Sequence, residues 1–78
     1  MPMLFVANGF STEIPGLGKN QSFSMLSQKR VTKAAREALR KQYNEERVEV
    51  SCAAYFMRGE WVGECKVDQH SHSYRIRE

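Results

Sequence analysis

What the 78-residue sequence lacks sets the first limits on its function. No apolar stretch approaches the ~20 residues that a membrane-spanning helix needs. The N-terminal apolar run, Met3 to Ala7, is five residues long and follows no basic segment, too little for a signal-peptide core. There is no internal repeat, no low-complexity tract and no composition break, so residues 1–78 read as a single domain with no membrane partner. Only two cysteines are present, and no Cys-x-x-Cys knuckle accompanies them, which disfavours structural zinc built with His70 and His72. Two cysteines without a secretion leader are expected as buried free thiols in the cytoplasm; a disulfide is the less favoured alternative. No metal and no cofactor is expected.

Catalytic patterns are equally scarce. Gly16-Leu17-Gly18-Lys19-Asn20 departs from a phosphate-binding loop: one residue separates its glycines where four should precede Gly-Lys-Ser/Thr, and Asn20 stands in place of the hydroxyl. It reads instead as a hinge. The acids are scattered, and Cys65 with His70 or His72 is the one conceivable nucleophile–base pair. The expectation is a protein that is not an enzyme.

What is there alternates well. Asn8-Gly9 separates two β-prone runs, and a two-residue turn pairs Ala7 with Phe10 and Phe5 with Thr12. Met3, Phe5, Ala7, Phe10, Thr12 and Ile14 then share one face, the expected core face. A helix is expected from about Ser24 to Tyr43, with Ser24 as N-cap and Asn44 as its stop. Val48 to Met57 alternates, turns at Arg58-Gly59, and returns through Trp61 to Val67, so Phe56 faces Trp61, Ala54 faces Gly63 and Cys52 faces Cys65. His70 to Arg77 alternates once more with a basic outward side, suited to a sheet edge. The expected fold is α+β, in the order β-β-α-β-β-β, with one helix packed on an antiparallel sheet of about five strands.

Charge is uneven along the chain. The total is +3, but Lys19 to Arg47 holds eight Lys or Arg against three acids, a local charge of +5. At ~100° per residue, Lys29, Lys33, Arg36 and Arg40 fall within about 60° on the helix, opposite an alanine-rich face, with Arg30 and Lys41 beside them. Aligned like charges repel, so stability alone does not account for the stripe. Phosphates, or an acidic surface on a protein that handles nucleic acid, would suit it. A second patch, Tyr55, Met57 and Val62, leaves part of the other sheet face apolar and makes a homodimer or protein contact possible.

Two families share features with these residues. Lys33-Ala34-Ala35-Arg36-Glu37-Ala38-Leu39, preceded by Gly16-Leu17-Gly18-Lys19, resembles the second helix of double-stranded-RNA-binding domains, although that family's strand order differs. The two-strand start, the Ser24-Met25-Leu26-Ser27-Gln28-Lys29-Arg30 helix opening and the hairpin with Trp61 after Arg58-Gly59 resemble small phage-encoded host-takeover proteins of the anti-CRISPR type. That resemblance implies a non-catalytic inhibitor that obstructs a host protein or ribonucleoprotein complex. The expected function is therefore docking through Lys29, Lys33, Arg36, Arg40, Arg30 and Lys41 on such a complex. The alternative is direct nucleic-acid binding by the same stripe, assisted by Arg75 and Arg77.

Overall fold

Three two-residue turns organise the sheet, and each needs backbone in the left-handed region. Asn8 and Gly9 have φ of 55° and 78°, Arg58 and Gly59 have 52° and 82°, and Asp68 has 56°. The first two turns are the ones that a type I′ geometry predicts, because its twist matches that of the strands it joins. The structure, a computed structural model, describes residues 3–15, 17, 22–44 and 49–78. Gly16, Gly18, Lys19 and Asn20 of the expected hinge, and Arg47 of the basic segment, lie outside the described residues.

The strands are β1 (Met3–Ala7), β2 (Phe10–Ile14), β3 (Val50–Met57), β4 (Glu60–Val67) and β5 (His70–Arg77), with one α-helix, α1 (Gln28–Tyr43), between β2 and β3. All neighbouring strands are antiparallel, in the order β2-β1-β5-β4-β3. The expected α+β class holds. The expected register holds too: Ala7 pairs with Phe10, Phe5 with Thr12, Cys52 with Cys65 and Phe56 with Trp61.

The last strand does not lie at the edge. β5 sits in the centre, bonded to β1 on one side and β4 on the other. Its Tyr74 and Ile76 are buried, and Ile76 lies beside Phe5 and Trp61. The basic outward side that suggested an edge is instead the middle of a sheet face that no helix covers among the described residues.

The helix also starts later than expected. Phe23–Met25 forms a short 3-10 turn, Leu26 is buried, and the N-cap is Ser27, whose hydroxyl accepts from the Arg30 backbone N–H at 3.2 Å. Asn44 ends the helix in the left-handed conformation, as expected. Val31, Ala35, Ala38 and Leu39 form its buried stripe and close over Phe5, Ile76, Cys65 and Val67. Small alanines let the helix lie close to the sheet, so that a thin face suffices. Two amide side chains fasten it: Gln28 Nε2 donates to the Ala54 carbonyl on β3 at 2.6 Å, and Gln42 Nε2 donates to Thr12 Oγ1 on β2 at 3.0 Å. The helix therefore spans the sheet from one edge strand to the other. The Trp61 indole N–H donates to the Phe23 carbonyl at 2.9 Å and holds the turn that precedes the helix.

Two further expectations are corrected. Phe10 shares the Phe5 face but is 68 % exposed, because it stands on an edge strand beside the turn. Cys52 and Cys65 are a disulfide rather than free thiols. They face each other where the antiparallel ladder brings side chains closest, with Cα atoms 4.0 Å apart.

Gly63 is required by its neighbours. A Cβ there would overlap the Ala53 carbonyl oxygen and clash with the Tyr74 hydroxyl. The vacant space lets the Tyr74 ring cross β4, so that its hydroxyl donates to the Ala53 carbonyl at 2.7 Å.

Candidate binding face on the helix

Residues three and four apart stack along a helix, and Lys29, Lys33, Arg36 and Arg40 follow that spacing. Opposite them lie Val31, Ala35, Ala38 and Leu39, all buried, so the cations take the solvent side. Lys29 and Lys33 are exposed; Arg36 and Arg40 are partly buried, their stems lying against the flank of the helix. The stripe is about 16 Å long at the helical rise. Among the described residues, no ion pair joins Lys29, Lys33 or Arg36 to an acid.

A shallow groove runs on each side of this crest. One, of about 410 Å³, lies between the helix and the end of β2; Arg30, Lys33 and Lys41 line it with Glu13 and Glu37. The other, of about 440 Å³, lies towards β3 and β4; Arg36, Arg40 and Lys66 line it with Glu49 and Asp68. The surface is thus a basic crest whose flanks mix three cations with two acids on each side, a pattern that the wheel alone did not show. Glu37 was visible in sequence, but Glu13, Glu49 and Asp68 arrive from strands and turns.

The crest also works against its own helix. No acid occupies the first turn, where the helix dipole favours negative charge, and Lys29 and Arg30 are placed there instead. Arg40 and Lys41 in the last turn have the favourable sign.

The second patch lies elsewhere. Tyr55 and Val62 are partners across β3 and β4 on the helix-free face, and Met57 follows on the same side. Tyr55 and Met57 are exposed and Val62 is half-buried. Arg75 and Arg77 share this face, since Arg75 pairs with Val62, and Arg75 Nε is 3.7 Å from Glu60 Oε1. The sheet separates them from the crest, so Arg75 and Arg77 do not extend the helix stripe as expected. Sequence reasoning passed over Phe56, which lies on the core face yet is 41 % exposed where β3 runs out beyond the helix.

The histidines do not form a metal or catalytic cluster with the cysteines. No group of three or more His, Cys, Asp or Glu among the described residues could hold a metal. His72 bridges two elements: its Nδ1 is 3.0 Å from Asn8 Oδ1, and its Nε2 is 2.6 Å from the Tyr43 hydroxyl. Because Asn8 Oδ1 only accepts, Nδ1 donates to it, and Nε2 and the Tyr43 hydroxyl share the second hydrogen bond. The arrangement ties the end of α1 to the first hairpin.

Among the described residues, Tyr74 is the one group with a clearly displaced titration. Burial, and secondarily the charge of Tyr55, pushes its phenol from 10.0 up to about 12. It stays neutral and serves as a hydrogen-bond donor.

Comparison of the chain with protein-family models, with curated proteins and with solved structures gives no match in any of the three.

Proposed function

We propose that this is a non-catalytic binding protein that docks through the outer face of α1 on an acidic surface of a nucleic-acid-handling protein complex and obstructs it. The observation that carries the reading is the basic crest on the outer face of α1, flanked by two grooves in each of which two acids stand beside three cations. A helix seated in a duplex groove has phosphates along both flanks, where Glu13 and Glu37 on one side and Glu49 and Asp68 on the other would meet them. A narrow acidic ridge on a protein meets the crest alone. The four flanking acids then weaken contact with a broader polyanion relative to a narrow one, although cations outnumber them in each groove. The unfavourable charge at the helix start supports the same reading, since it costs stability and serves contact with a partner. Inhibition of the anti-CRISPR type is the most concrete form of the proposal.

The test is capture from host lysate with and without nuclease. Retention of a stoichiometric complex after nuclease, lost in the Lys29→Glu/Lys33→Glu variant, is the expected result. Capture that disappears with nuclease, together with a gel shift that weakens steeply as salt rises, would replace the proposal with direct nucleic-acid binding. A cytoplasmic setting belongs to the same proposal. A reducing cytoplasm would open the Cys52–Cys65 disulfide, so alkylation before cell lysis should then label both cysteines; a bond resistant to trapping would place the protein in an oxidising compartment.

A further inference from the structure

The two edges of the sheet are built differently. β2 has five residues, carries Glu13 and runs into Pro15, features that discourage pairing with another strand. β3 has eight residues, Val-Ser-Cys-Ala-Ala-Tyr-Phe-Met, with no charge, no proline and no glycine. Its last three residues are large and exposed: Tyr55 53 %, Phe56 41 % and Met57 55 %. Such an edge is a template for another strand unless something covers it.

The hairpin geometry shows which backbone groups are on offer. Met57 and Glu60 flank a two-residue turn and so form a hydrogen-bonded pair, and the pairs then alternate along the ladder. Phe56, Ala54 and Cys52 therefore direct their N–H and C=O groups away from β4. The bond from Gln28 to the Ala54 carbonyl agrees, because that oxygen is left over by the ladder. Gln28 closes the edge at Ala54, and the part beyond it remains, centred on Phe56.

We propose that a second copy of this chain pairs there, β3 against β3 in antiparallel fashion about a twofold axis at Phe56. That register sets Phe56 opposite Phe56 of the second copy on the helix side of the sheet. On the other side it sets Tyr55 opposite Met57 and Met57 opposite Tyr55. All three exposed side chains are covered by the same operation, as aromatic–aromatic and sulfur–aromatic neighbours. No charged residue of β3 meets its like, since the strand holds none. A one-residue slip would set Phe56 opposite Tyr55 or Met57, whose side chains leave the other face of their own strand, and lose the match. At about half of the ~200 Å² that such a side chain can bury, three of them supply roughly 300 Å² per copy. Backbone pairing adds to this but leaves the contact below the ~1,200 Å² total of standard specific interfaces, so the dimer is reversible and weak. The two sheets become one of ten strands, and each copy keeps its α1 crest exposed.

Sedimentation velocity from low to hundreds of micromolar protein tests this, with hydrogen exchange of the Phe56 amide at both ends of the range. Monomer should give way to dimer, and the Phe56 amide should become protected only at high concentration. Met57→Lys, at an exposed position, should weaken association roughly tenfold or more while the melting curve is kept. Monomer throughout, assemblies larger than two, Phe56 protection independent of concentration, or a dimer indifferent to Met57→Lys would each overturn it. The measurement uses no target complex, so its outcome is separate from that of the docking reading.

Discussion

Tyr74 shows how one residue can serve packing and polarity together. Its ring stacks against Phe5 at a centroid distance of 5.1 Å and crosses Gly63, while its hydroxyl reaches the Ala53 carbonyl. The phenolate has no place in this arrangement, which is why the proton is held to about 12. The unfolded chain releases that proton near 10, so between about pH 10 and 12 unfolding is coupled to proton loss and stability falls as pH rises. Below pH 10 the contribution is fully present. Tyr74→Phe should flatten that alkaline decline and cost about 1 kcal/mol at neutral pH, read by denaturant unfolding at several pH values. The alternation of His70 to Arg77 placed Tyr74 with Ile76 on one face. It could not show that Gly63 makes room for the ring, because a glycine opposite an aromatic is seen only once the register is fixed. The cysteines were similar: their opposition was legible, but the same pattern serves a thiol pair and a disulfide.

At the scale of the element, the helix start is where sequence and structure part. Ser22, Ser24 and Ser27 all suit a cap, and local propensity does not choose among them. Burial of Leu26 chooses, since it draws the chain into the core and leaves Ser27 extended at the mouth of the helix. Ser27→Ala should therefore cost about 1 kcal/mol in thermal or urea unfolding, whereas Ser24→Ala should be close to neutral. Lys29 makes the opposite kind of prediction. Lys29→Glu puts a favourable charge in the first turn and should raise stability by about 0.5 kcal/mol, while weakening capture of the target. A variant that is both more stable and still fully active would show that the first-turn cations serve no partner. The crest itself was readable from spacing, because it depends on one element. The mixed-charge grooves beside it were not, because they are assembled from residues on several elements.

For the whole molecule, the disulfide and the central strand decide how firmly the sheet is held. Cys52 and Cys65 are 13 residues apart and join β3 to β4, which are already paired. The bond restrains chiefly the unfolded chain, by up to about 3 kcal/mol for a loop of this size. Reduction should lower the midpoint of denaturant unfolding by an amount of that order and leave the far-ultraviolet circular dichroism of the native state unchanged. Loss of native signal on reduction alone would mean that the bond, rather than the core, holds the fold. The five strands and their pairing within hairpins were legible because turns and alternation are local. The position of β5 was not, since the same basic-and-apolar alternation fits an edge or a centre, and only the joining of two hairpins selects the centre. That position has a consequence for biosynthesis. The first hairpin, the helix and the second hairpin all leave the ribosome before β5, and until it follows only α1 and the turn before it, through Gln28 on Ala54 and Trp61 on Phe23, can bridge the two hairpins. Closure of the sheet thus waits for β5, and until that strand emerges the flanks of β1 and β4 are open to whatever else in the cell offers a strand.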